Sequence, residues 1–227
     1  MERHPGAGRA HCLPYKVTGL LGKGGFGVVY SGVRVQDGLS VAIKEVPVNK
    51  VLEWTMLGDR SVPMELRLLY SCQSVPGVVR LIDFYDRGDY FLYIMEYSPS
   101  CRDLFDFISQ KGPLEENFAR ELFKQVVDIV LQCYHLGVVH RDIKDENLII
   151  DTNTGKLKLI DFGSGAFRQE DPYAEFDGDC FHNSHSNIFS NYFVKIFSCF
   201  VFLFHSGIKN VSHFNSQMSA NVAIYQK

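Results

Sequence analysis

The chain has 227 residues, 46% of them hydrophobic and 22% charged, with a formal net charge of −3. That length suits one large or two small domains, each able to bury a core, and the composition is that of an ordinary globular protein. Residues 1–179 carry 20 basic and 26 acidic side chains, whereas residues 180–227 carry three lysines and no acid, so neither part has the basic patch of a nucleic-acid surface.

Residues 15–30 alternate around a glycine cluster and residues 39–46 form another β-rich run, which predicts strand, turn, strand, loop, strand. A helix is expected over residues 63–72, with Pro63 at its first position and Met64, Leu68 and Cys72 on one side. Residues 78–85 and 90–97 read as two more strands joined by an Arg-Gly-Asp turn at 87–89. After Ser98-Pro99-Ser100 the apolar period changes from two to 3.6. A short helix is expected over 103–111, stopped by Gly112-Pro113, and a long one over 114–136 that would bury Phe118, Leu122, Phe123, Val126, Val130 and Tyr134. Gly137 suits its C-terminal cap. Two apolar strands, 148–151 and 157–160, follow around a turn at 152–155.

The six cysteines, Cys12, Cys72, Cys101, Cys133, Cys180 and Cys199, have neither CxxC nor metal-ligand spacing and read as reduced thiols of an intracellular protein. No apolar stretch near the N-terminus suits a signal peptide, so the expected location is cytoplasmic, with the nucleus also open. The apolar run 188–204 is short of the roughly 20 residues that span a bilayer and has Lys195 in its middle, so a membrane partner is not expected.

Residues 22–29, GKGGFGVV, fit GxGxxGxV. By itself the pattern leaves open a dinucleotide fold, a plain structural turn, or a glycine hairpin whose backbone amides cover phosphates. The glycines lead into Val28-Val29-Tyr30, a β-run and not a helix, which favours the hairpin. Lys44 in a predicted strand and Glu65 in a predicted helix then suggest an ammonium aimed at phosphate oxygens by a carboxylate.

HRDIKDEN at 140–147 and DFG at 161–163 complete an ordered set that resembles the eukaryotic protein kinases, in the serine/threonine form because of Lys144. The resemblance implies an α+β, two-lobed fold and phosphoryl transfer from ATP with Mg2+ to serine or threonine of protein substrates. Asp142 would accept the hydroxyl proton, Lys144 would lie beside the transferring phosphoryl group, and Lys44 and Glu65 would complete the catalytic set. Asn147 and Asp161 would hold the metal. Leu21, Gly22, Gly24, Gly27, Val29, Ala42, Lys44, Met95, Glu96, Asp103 and Ile149 would line the ATP site.

LLGKGGFGVVYSG, VPMELRLL, DLFDFI and KLKLIDFGSGA narrow the resemblance to the Pim kinases, which implies substrates with upstream arginines. Asp103, Asp106, Asp145 and Glu146 are the acids expected to meet those arginines. Ser100 stands where the family often has proline, with Pro99 one position earlier. The expected organisation is a flexible N-terminus at 1–14, a complete β-rich lobe at 15–97, a hinge at 98–100, an incomplete helical lobe at 101–179, and a divergent Phe, Asn and Ser-rich tail at 180–227. The likeness runs to about Gly178, inside the activation segment, with no later Pro-Glu motif or partner arginine. That leaves a second expectation, an ATP-binding but catalytically dead fragment from an alternative or erroneous transcript.

Overall fold

The structure is a computed structural model that describes residues 13–168, apart from Phe26 and Pro113. The expected flexible N-terminus up to residue 12, the end of the helical lobe, and the tail with its apolar run lie outside the described residues. In chain order the elements are β1 (Tyr15–Gly24), β2 (Gly27–Arg34), β3 (Ser40–Pro47), β4 (Trp54–Leu57), β5 (Arg60–Pro63), α1 (Met64–Ser71), β6 (Leu81–Asp86) and β7 (Tyr90–Glu96). There follow β8 (Cys101–Asp103), α2 (Leu104–Lys111), α3 (Glu116–His135), β9 (Val138–Val139), β10 (Leu148–Asp151), β11 (Leu157–Leu159) and β12 (Ala166–Phe167). Among the described residues no helix is long and apolar enough to cross a membrane.

These elements fall into two compact units, residues 13–51 with 81–98 and residues 52–80 with 99–168. The first is the β-rich part of the expected fold, an antiparallel sheet in the order β1-β2-β3-β7-β6. Its pleat sorts the side chains by parity, because residues directly opposite in an antiparallel pair share a face. Val41, Ile43, Leu92 and Ile94 form a buried cluster, against which Tyr15, Tyr30, Ile82 and Tyr85 pack. Residues of the opposite parity are left for the other face. The turn predicted at 87–89 is present, with Gly88 at φ +85° and its amide donating to Asp86 Oδ1 at 2.8 Å. The strand expected to start at 78 starts at Leu81 instead. Val78 and Val79 are taken up elsewhere, in a parallel bridge to Leu159.

The second unit holds the helices, the β4–β5 hairpin, the β11-β10-β8 sheet and the β9–β12 pair. The β4–β5 hairpin is an addition to the sequence reading. Its signal was the Trp54 and Met56 alternation running into Gly58-Asp59, with Gly58 at φ +60°. Helix α1 begins at Met64, so Pro63 is its N-cap in extended conformation and not its first helical residue. Pro63 already belongs to β5, opposite Trp54, which holds it extended.

Helix α3 ends where expected, with Gly137 at φ +75° and its amide donating to Tyr134 O at 2.9 Å. Leu122, Phe123, Val126 and Val130 are buried as the period predicts, while Phe118 and Tyr134 are only half-buried. Ala119, Val127, Ile129, Leu131 and Cys133 are also buried, so α3 is covered on more than one side. An apolar stripe read at one period finds only one of those sides.

The glycines of GxGxxG divide by what surrounds them. A Cβ on Gly27 would sit 2.1 Å from Glu45 O on the neighbouring strand, whereas Gly22 and Gly24 have nothing within 4 Å and no positive φ. Packing therefore requires glycine at 27, and among the described residues nothing requires it at 22 or 24. Gly27→Ala is expected to lower stability by about 1–3 kcal/mol, the usual cost of overpacking. Gly24→Ala is expected to stay within about 0.5 kcal/mol. Urea unfolding midpoints of the two variants check this, and equal midpoints would contradict it.

Candidate active site

The first unit gathers its expected site residues by strand register. Val29 lies opposite Lys44, Ala42 opposite Met95, and Gly22 opposite Val29, so all five share the face of the sheet away from the Val41 and Ile43 cluster. Lys44 is only 7% exposed. A buried ammonium is tolerable only where anions or acceptors meet it, so this position is built for charge. Leu21 is exposed near the end of β1, and Glu96 closes β7. The open space above Gly22 and Gly24 is what a backbone approaching phosphates needs.

In the second unit the catalytic loop converges on one carboxylate. Asn147 Nδ2 donates to Asp142 Oδ2 at 2.9 Å and to the Asp142 carbonyl at 2.8 Å. Two acceptors on one end of the carboxamide identify that end as the NH2 and turn its oxygen away from Asp142. Lys144 Nζ lies 3.2 Å from Asp142 Oδ2 and 3.2 Å from Glu146 Oε2. Burial works against its charge, but the hydrogen bonds to Glu146 and Asp142 outweigh that and hold the ammonium above its ordinary pKa.

Ile160, the residue before Asp161, is clamped on both sides. Its amide donates to Asn147 O at 3.0 Å, and its carbonyl faces His140 Nε2 at 2.9 Å. Nδ1 of the same ring accepts the Asp142 amide at 3.3 Å. A carbonyl cannot donate and an amide N–H cannot accept, so the ring must be neutral with its proton on Nε2. His140 is 2% exposed and stands edge-on to Phe162, ring centroids 4.8 Å apart. This packed core histidine is thus also the link between the 140–147 loop and the segment that carries Asp161.

Among the described residues two non-glycine residues have positive φ, Arg141 at 66° and Asp161 at 61°, and both are in this site. Each such conformation costs about 1–3 kcal/mol. Arg141 Nε donates to Ser164 O at 2.6 Å and Nη2 to Gly165 O at 3.1 Å, and two charge-assisted bonds of about 1.5–3 kcal/mol each outweigh its strain. Asp161 Oδ1 accepts the Gly163 amide at 3.2 Å. Sequence reasoning missed Arg141 and Ile160, because both act through backbone carbonyls and amides that carry no residue-type signal.

Glu65 stands in the first turn of α1, which packs on the 162–164 turn and on β12. A Cβ on Gly165 would meet Leu68 Cδ1 at 2.8 Å, so the helix lies directly on that turn. Ile149 is half-buried in β10, paired with Asp103. Of the four acids expected to meet arginines, Asp103 caps α2 by accepting the Asp106 amide at 2.7 Å, and Glu146 pairs with Lys144. Asp145 Oδ1 accepts the Glu146 amide at 3.2 Å, and Asp106 is exposed in the first turn of α2.

The Asn147 carboxamide oxygen and the Asp161 carboxylate are hard oxygen donors. Mg2+ is commonly held by such a sparse set together with substrate phosphates. No group of three or more His, Cys, Asp or Glu suited to a metal occurs among the described residues.

Burial holds His140 below the ordinary histidine pKa. The unfolded chain therefore binds one more proton than the folded one below about pH 6.5, and stability is whole above that value and lost as pH falls through it. The loss has a limiting slope of about 1.4 kcal/mol per pH unit until the folded ring protonates. Urea midpoints at pH 7.5, 6.0 and 5.0 should show this limb, and His140→Phe should flatten it; an unchanged slope in the variant would contradict the assignment.

Comparison with known proteins agrees with the geometry. The protein kinase domain model matches residues 15–193. Serine/threonine-protein kinase pim-2 of Danio rerio is 45% identical over 174 residues, which cover 72% of this chain and 56% of that protein. Serine/threonine-protein kinase prk-2 of Caenorhabditis elegans is 44% identical over 164 residues, 72% of this chain and 37% of that protein. Serine/threonine-protein kinase PSK1 of Saccharomyces cerevisiae is 36% identical over 166 residues, 70% of this chain and 12% of that protein. The chain spans about half, or less, of the length of these relatives. By the family match and by this catalytic loop, the chain belongs to the protein kinase family, among the serine/threonine kinases similar to Pim.

Proposed function

We propose that this chain binds ATP with Mg2+ and transfers the γ-phosphoryl group to serine or threonine hydroxyls of cytoplasmic or nuclear proteins. The observation that carries the proposal is the Asp142 carboxylate, which holds Asn147 and Lys144 on one oxygen while His140 and Asn147 clamp the residue before Asp161.

The substrate hydroxyl oxygen forms a bond to the γ-phosphorus, its proton passes to Asp142, and the bond to the β-phosphate oxygen breaks to release ADP. Asn147 and Lys144 both engage Oδ2, which leaves Oδ1 as the acceptor for that proton. Lys144 places a positive charge beside the transferring group, where negative charge accumulates. Asn147 and Asp161 would hold the metal, which when bound neutralises charge on the β- and γ-phosphates. Lys44 supplies a buried ammonium for phosphate oxygens, and Val29, Ala42 and Met95 supply an apolar face for the base.

The acids at 103, 106, 145 and 146 support a preference for arginine upstream of the phosphoacceptor. Asp106 carries most of that preference, because Asp103 is committed to capping and Glu146 to Lys144.

Two measurements test the reading. Full-length protein with Mg-ATP and an arginine-rich serine peptide should transfer phosphate, and Asp142→Asn should lose about 10²–10⁴-fold of the rate, the usual share of a general base. Equal rates for the two proteins would overturn it. Mg-ATP at 100 times its dissociation constant should stabilise the folded protein by about 2.7 kcal/mol, seen as a raised melting temperature. A raised melting temperature with no transfer would leave a nucleotide-binding domain without catalysis, the second expectation from the sequence.

A further inference from the structure

The strand that leads to Asp161 is three residues long and is held on both edges. On its inner edge β11 pairs with β10. On its outer edge the Leu159 amide donates to Gly77 O at 2.7 Å and the Leu159 carbonyl accepts the Val79 amide at 3.0 Å. Closer to the turn the outer partner is a side chain. Gln125 Oε1 accepts the Leu157 amide at 3.0 Å, and Gln125 Nε2 donates to the Gly155 carbonyl at 3.1 Å.

The carboxamide of Gln125 therefore does for Leu157 what a neighbouring strand would do, offering one acceptor and one donor in the spacing of a peptide unit. Its donor and acceptor ends are determined by their partners, one an amide N–H and the other a carbonyl. Both outer contacts come back to the same helix. A Cβ on Gly77 would lie 2.1 Å from Ile129 Cγ1, and Ile129 follows Gln125 by one helical turn on the same face of α3. One stripe of α3 thus sets the outer edge of β11 twice, directly through Gln125 and through the Gly77 backbone packed on Ile129.

We propose that Gln125 is a positioning residue for metal-dependent nucleotide binding, acting on Asp161 through β11; this rests on the phosphoryl-transfer reading above. Leu157 and Asp161 are four residues apart, about 13 Å of extended chain. A metal ligand must be held to about 0.5 Å. With Gln125 removed, the pairing with β10, the Leu159 contacts and the Ile160 clamp remain, but Leu157, where the strand begins, loses its outer partner. Groups hydrogen-bonded directly to metal ligands typically contribute about 10- to 100-fold in metal affinity, and a group acting through a strand belongs at the lower end.

The test uses the full chain with Gln125→Met, which keeps the length and removes both hydrogen bonds, and Gln132→Met on the exposed side of the same helix as control. Calorimetric titration with ADP, with and without Mg2+, should give the variant about a tenfold weaker gain from the metal while metal-free ADP affinity is unchanged. Amide hydrogen exchange should speed up at Leu157 and also at Ile160. The control should match the unaltered protein in both. A merely structural role would lower the melting temperature or both affinities together, and leave the metal gain intact; that result overturns the proposal. Faster exchange at Leu157 with no change at Ile160 overturns it as well, independently of any nucleotide. If Gln125→Met does not fold, Gln125→Glu keeps the acceptor for Leu157 and should show a smaller loss of metal gain, and no loss would overturn the proposal. If the unaltered protein gains nothing from Mg2+, the phosphoryl-transfer reading fails first, a result distinct from a variant that behaves like its parent.

Discussion

The candidate active site of this chain depends on how the backbone of Ile160 is held. Its amide is taken by the Asn147 carbonyl and its carbonyl by the His140 ring, so the catalytic loop and the DFG segment cannot move independently. Everything chemical in the second unit hangs from that clamp. Asn147 uses its backbone for Ile160 and its side chain for Asp142, and His140 uses one ring nitrogen for Ile160 and the other for the Asp142 amide. A neutral imidazole is the only form of histidine that can make both bonds, which is why burial here serves geometry as well as packing.

The first unit reaches its arrangement by a simpler rule. A five-stranded antiparallel sheet must bury one face, and Val41, Ile43, Leu92 and Ile94 do so. The alternate residues, Val29, Ala42, Lys44 and Met95, are then presented together without any further device. A one-residue slip of β3 would exchange the two sets. The close approach of Gly27 to Glu45 O limits such a slip, because no other residue fits where β2 leaves the glycine turn.

Much of this was legible beforehand. The motif residues, the sheet strands, the three helices and the turn glycines at 88 and 137 all declare themselves by type and period. The β4–β5 hairpin did not, since four-residue strands with a single alternation resemble a loop. Neither did the start of β6, because Val78 and Val79 look like strand residues and are strand-like, but with Leu159 as their partner. Arg141 and Gln125 were invisible as contributors for a common reason. Their partners are backbone groups 23 to 32 residues away, and backbone groups are the same in every sequence.

By itself the sequence determined the family and the inventory of candidate groups, because phosphate cradling, proton acceptance and metal binding require particular residue types at nearly constant spacing along the chain. Only the tertiary structure decided which of those groups share an oxygen, which histidine nitrogen carries the proton, and which carbonyls absorb the strain at Arg141. Those outcomes depend on distances of about 3 Å between segments far apart in sequence, and such distances exist only after the chain has packed.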